Sequence, residues 1–148
     1  MHDDDAPRIS GGLRYLLRHD LLDTLGDLIC ALVADEGERA RAVFAAVFAE
    51  LVDDAAAVLE RTVGAAGPDE AYFAEIHDGN GDRVEVDELT PAVRAGVRAM
   101  LATLAGRGDD AAVQLGLAAG APDPADRANA VVCLLFCADG QFSVASAD

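Results

Sequence analysis

The chain has 148 residues, 52% of them apolar, which is material for one domain around a single core and leaves a second domain unexpected. Its 27 acidic residues outnumber 11 basic ones, all arginine, and the resulting net charge of −16 excludes a direct grip on nucleic acid. No apolar run reaches the length of a bilayer span, and the opening M-H-D-D-D is acidic where a secretory signal is basic, so a cytoplasmic protein without membrane contact is expected.

Acidity of this size has two readings. It steers a protein towards a basic partner, or lets it imitate a phosphate backbone. A salt-rich cytoplasm or GC-rich coding produces the same composition, and here the excess runs along the whole chain.

Residues 1–9 are acidic, contain Pro7 and lack periodicity, which predicts a disordered acidic tail ahead of a single domain over 10–148. From Gly12 to Ala34, Leu13, Leu16, Leu17, Leu21, Leu25, Leu28, Ile29, Leu32 and Val33 recur at steps of three and four, the stripe of an amphipathic helix. Asp20, a capping residue type, offers a place to split the stripe into two helices, and Gly26 within it suggests a close helix contact. Asp35 and Glu38 have the spacing of a capping box and predict a second long helix. Its stripe through Phe44, Val47, Leu51 and Val58 is flanked by Val43, Phe48, Val52 and Leu59, so the helix is expected to be central. Gly64, Gly67 and Pro68 stop it.

Residues 72–88 do not read as helix. Y-F-A-E-I-H and R-V-E-V-D-E flank D-G-N-G-D, whose glycines and asparagine tolerate the positive φ of a tight turn, and the pattern predicts a β-hairpin between the helical halves. The same turn places Asp78, Asn80 and Asp82 at the alternate positions of a calcium loop. It departs from that loop at Arg83, where the sharp turn needs glycine, and at Leu89, where a bidentate glutamate belongs, so only weak Ca2+ binding is expected.

Thr90 and Pro91 give a hydroxyl cap with proline at the first helical position, and Gly106 ends the helix they open. Asp109 or Asp110 starts a short alanine-rich helix to Gly120, anchored by Val113, Leu115 and Leu117. Asp123, Pro124 and Asp126 open a last helix to about Ala138, whose V-V-C-L-L-F-C is apolar on nearly every side and suits a buried element or a subunit contact. Q-F-S-V beyond Gly140 suits a short strand or docked tail. The expected fold is therefore mainly α: a compact bundle of five or six helices with one hairpin, its core joining Phe44, Val47, Leu51, Val97, Leu101, Leu134 and Leu135.

Chemistry is sparse. His2 lies in the tail, His19 at a helix junction and His77 beside the turn, so no imidazole has an evident nucleophile to activate. Cys133 and Cys137 are one helical turn apart but lack two further ligands for a tetrahedral metal, and with Cys30 they read as reduced thiols within apolar runs. No phosphate loop is present, since the G-x-G of Gly79 and Gly81 lacks the third glycine and a lysine. The expectation is a non-enzymatic acidic interaction module, an adaptor, inhibitor or immunity-type factor, without a cofactor. Its contacts are expected from the hairpin residues Tyr72, Phe73, Ile76, Val84 and Val86, to a protein partner or to a second copy in a homodimer. The alternatives are a nucleic-acid mimic that fills a basic groove, and a weak divalent-cation binder at Asp78, Asn80 and Asp82.

Overall fold

A computed structural model describes residues 5–63, 71–77, 83–84, 88–140 and 143–147. Among them are six helices: α1 Ala6–Arg18, α2 Leu22–Ala34, α3 Glu38–Val63, α4 Pro91–Leu104, α5 Gly108–Ala119 and α6 Pro124–Ala138. The chain is mainly α, and its helices pack with many contacts between residues distant in sequence.

The long helix α3 is central because both of its apolar stripes find partners. Val43, Phe44, Val47, Phe48, Leu51, Val52 and Leu59 are all buried, with the Phe44 and Phe48 rings stacked 5.7 Å apart. Helices α1, α4 and α6 pack on this surface, and α5 packs chiefly on α4. Six of the seven expected core residues are buried; Leu101 packs against the core but is only half-buried.

Helix ends follow local chemistry in three places. At Gly106, with φ +74, the Gly106 and Arg107 N–H groups donate back to Thr103 and Ala102 carbonyls, the paired bonds of a left-handed helix terminus. Asp20 does the same without glycine's freedom: at φ 59 its N–H donates to Leu17, and that of Leu21 donates to Leu16. Asp20 thus ends α1; it does not cap α2. Asp123 caps α6 as its position predicts, accepting from the Ala125 N–H at 3.0 Å.

Other expectations are corrected. Helix α1 starts at Ala6, within the stretch assigned to the tail, because proline is harmless in a first turn and Ala6 and Ser10 are buried against the body. The Asp35 carboxylate accepts from the Gly37 N–H at 2.9 Å, and α3 begins one residue later at Glu38. In α5 Ala111 and Ala118 are buried and Leu115 packs against the core, while Val113 and Leu117 face solvent.

Three short strands complete the described backbone. β1, Ala71–His77, pairs antiparallel with β2, Arg83–Val84, at Ile76 opposite Val84 and His77 opposite Arg83. On its other edge it pairs with β3, Ser143–Ala147, from Ala71 opposite Ala147 to Glu75 opposite Ser143, giving the order β2-β1-β3. The turn and residues 85–87 of the hairpin expected over 72–88 lie outside the described residues.

Candidate functional site

The polar interior centres on two adjacent residues at the start of α6. Asp126 and Arg127 are buried although both are ionisable, and burial of this kind is tolerated only where hydrogen bonds replace water. Arg127 Nη1 donates to the Ala121 carbonyl at 2.6 Å and Nη2 to the Val33 carbonyl at 3.0 Å. Nη2 also lies 3.7 Å from Glu36 Oε1, and the guanidinium carbon stands 6.0 Å from the Phe44 ring centroid. One side chain thus ties the end of α2, the α5–α6 turn and the face of α3 together.

Asp126 Oδ2 accepts from the Ala92 N–H at 2.9 Å, across a separation of 34 residues. This carboxylate caps α4, a task expected of Thr90, whose hydroxyl makes no capping bond. Asp126 Oδ1 is buried without a hydrogen-bond partner among the described residues. Both groups are engaged by backbone at helix ends, where they hold elements in place.

A second polar cluster joins α1 to α3. Arg14 Nη1 lies 3.3 Å from Asp54 Oδ2, and Ser10 Oγ donates to the same oxygen at 3.4 Å. Beside it, burial and then the like charge of Asp54 push the Asp53 carboxyl above its ordinary value. On α6, the hydrogen bond with Cys133, reinforced by burial, pushes the Cys137 thiol up, so it is a neutral, unreactive core group. All three cysteines are free, and Cys30, expected in an apolar setting, is exposed on α2.

Large apolar residues are exposed on α1, α2, α5 and α6 among the described residues. Arg18 Nε lies 3.5 Å from Asp139 Oδ1, and Arg127 reaches Val33, so α2 runs antiparallel to α6 with Leu22 near the end of α6. Tyr15 on α1, Leu21 and Leu22 at the start of α2, and Val132 and Phe136 on α6 are exposed, as are Asp20, Asp23 and Asp27. The Tyr15 and His19 rings lie 4.2 Å apart between centroids, tilted by 38°, at the end of α1.

The residues expected from sequence fare unevenly. Asp78, Asn80, Asp82 and Val86 lie outside the described residues. Tyr72, Phe73, Ile76 and Val84 are placed as backbone in β1 and β2, and His77 ends β1 opposite Arg83. Among the described residues no three His, Cys, Asp or Glu side chains gather as a metal site, and no helix is long and apolar enough to cross a membrane. Concavities are present among the described residues. One of about 230 Å³ lies between α2 and α3, beside Asp35, Arg39 and Val43, and one of about 310 Å³ lies between α4 and the α5–α6 turn. No family model, curated protein or solved structure matches the chain.

Proposed function

We propose that this chain is a non-catalytic interaction module that binds a basic protein surface through the apolar residues exposed on α1, α2 and α6. The supporting observation is the exposure of Tyr15, Leu21, Leu22 and Phe136 together with that of Asp20, Asp23 and Asp27. An apolar centre with a charged rim is the composition of a protein interface: the centre supplies affinity, and the rim selects a partner of opposite charge. The buried ionisable groups fit this reading, because Asp126 and Arg127 are engaged at helix ends. A β-hairpin over 72–88 is proposed as a second contact surface, with Tyr72, Phe73, Ile76, Val84 and Val86 as its apolar contacts.

The test is capture of a partner from the source lysate on immobilised protein. The expected partner is basic, is released by moderate salt, and is lost with Phe136→Asp or Leu22→Asp while the variants keep the wild-type circular dichroism. Retention by both variants overturns the assignment of the surface. Light scattering of the purified chain separates the homodimer: a doubled mass that Phe136→Asp abolishes would make a second copy the occupant.

A further inference from the structure

Cys133 and Cys137 are one helical turn apart on α6, so their side chains lie on the same face of the helix. Cys137 is fully buried, whereas Cys133 is half-buried, which leaves the pair reachable from one side. The two thiols are joined by a hydrogen bond. It holds the Cys133 thiol below its ordinary value against the effect of burial, while Cys137 keeps its proton.

A disulfide and a shared metal ion compete as the chemistry of such a pair. Helical residues four apart hold their Cβ atoms about 5–6 Å from each other, whereas a disulfide draws them to about 3.5–4.5 Å. Closing that bridge would distort the last turns of α6. An ion set between the sulfurs lengthens the link by a second bond and needs no such distortion. Among the described residues no three His, Cys, Asp or Glu side chains gather, so the pair stands as two donors. Two donors do not suit zinc, whose structural sites take four ligands, and thiolates select a soft ion. We propose that Cys133 and Cys137 bind one Cu(I) ion between their sulfurs. Cu(I) displaces both thiol protons to solvent, two S–Cu bonds replace two S–H bonds, and the neutral pair becomes a complex with one negative charge. No electron is transferred. The proton that the fold keeps on Cys137 is no obstacle, because a coordinating thiol is deprotonated outright.

The test is anaerobic titration of the reduced chain with the coloured Cu(I)–bicinchoninate chelate, which fades as the protein withdraws the ion. One copper per chain is expected. Cys133→Ser and Cys137→Ser should each abolish the withdrawal at unchanged circular dichroism, and Cys30→Ser, on the exposed thiol of α2, should leave it intact. If the buried Cys137→Ser variant fails to fold, Cys133→Ser on its half-buried position decides the matter alone. X-ray absorption of the loaded chain should show two sulfur neighbours around copper, and zinc should not compete. Failure to withdraw copper overturns the proposal, as does withdrawal that survives Cys133→Ser or is lost with Cys30→Ser. Three or more sulfur neighbours, or displacement of copper by zinc, also overturns it. None of these readouts involves Leu22 or Phe136, so the partner surface is tested separately.

Discussion

Two glycines inside helices carry opposite consequences. Gly26 on α2 is exposed, and a Cβ built there meets no atom within 4 Å, which corrects the close contact its position suggested. Gly26→Ala is expected to stabilise by about 0.5–1 kcal/mol through reduced chain entropy, read as a higher Tm. At Gly96 on α4 the same Cβ would stand 2.8 Å from Phe48 Cζ and 2.9 Å from Leu134 Cδ2, both in the packed core. Gly96→Ala is expected to cost about 1–3 kcal/mol despite its better helix propensity, because the ring has no empty space to enter. A third residue carries a pH signature. The Asp53 carboxyl titrates above its ordinary value in the fold, through burial and the neighbouring Asp54, so the folded state favours the protonated acid. Ionisation therefore penalises the fold above that value, and acid relieves the penalty. Asp53→Asn should raise Tm at pH 7, with the gain fading as the pH falls through the raised value and gone below about 4; a gain independent of pH would show that charge is not its source.

Elements depend on residues far from them in sequence. Arg127→Ala would remove donors from the Val33 and Ala121 carbonyls and leave them in an interior that water does not reach. A loss of about 2–5 kcal/mol is expected, and hydrogen exchange should rise first in the last turn of α2 and at the α5–α6 turn. Asp126→Ala would leave the Ala92 N–H without its cap, costing about 1–2 kcal/mol with faster exchange confined to the start of α4. The contrast explains what sequence could disclose. Helices α3, α4 and α6 were legible because periodicity, prolines and Gly106 are local signals, and α6 ends as predicted at Ala138. The cap of α4 was not, since it arrives from 34 residues away and Thr90 satisfied the local pattern equally well. In α5 large apolar residues misled, because close packing against α4 favours Ala111 and Ala118 over Val113 and Leu117. The polar core was hidden for the same reason: composition assigns charge to the surface, and only tertiary geometry identifies the one arginine that three elements share.

At the scale of the whole molecule, 27 carboxylates face 11 guanidiniums, so most carboxylates have no arginine to pair with; among the described pairs are Arg8 with Asp5, Arg14 with Asp54, Arg18 with Asp139 and Arg127 with Glu36. The excess charge repels itself more strongly in the compact state than in the unfolded chain. Added salt shortens the range of that repulsion, from about 10 Å at 0.1 M to about 3 Å at 1 M. The Tm at pH 7 is therefore expected to climb through this range, and the climb should flatten near pH 4, where many carboxylates are protonated. Differential scanning calorimetry at several concentrations of potassium chloride provides the measurement, and a Tm indifferent to salt at pH 7 would mean that the surface charges are already balanced locally. Binding of a basic partner has the opposite dependence, because screening weakens attraction between the surfaces while it relieves repulsion within one. The two slopes separate the readings of the acidity. Rising stability with falling affinity assigns part of the charge to a partner, whereas rising stability with unchanged affinity leaves the carboxylates as a coat suited to salt and moves recognition onto Tyr15, Leu22 and Phe136.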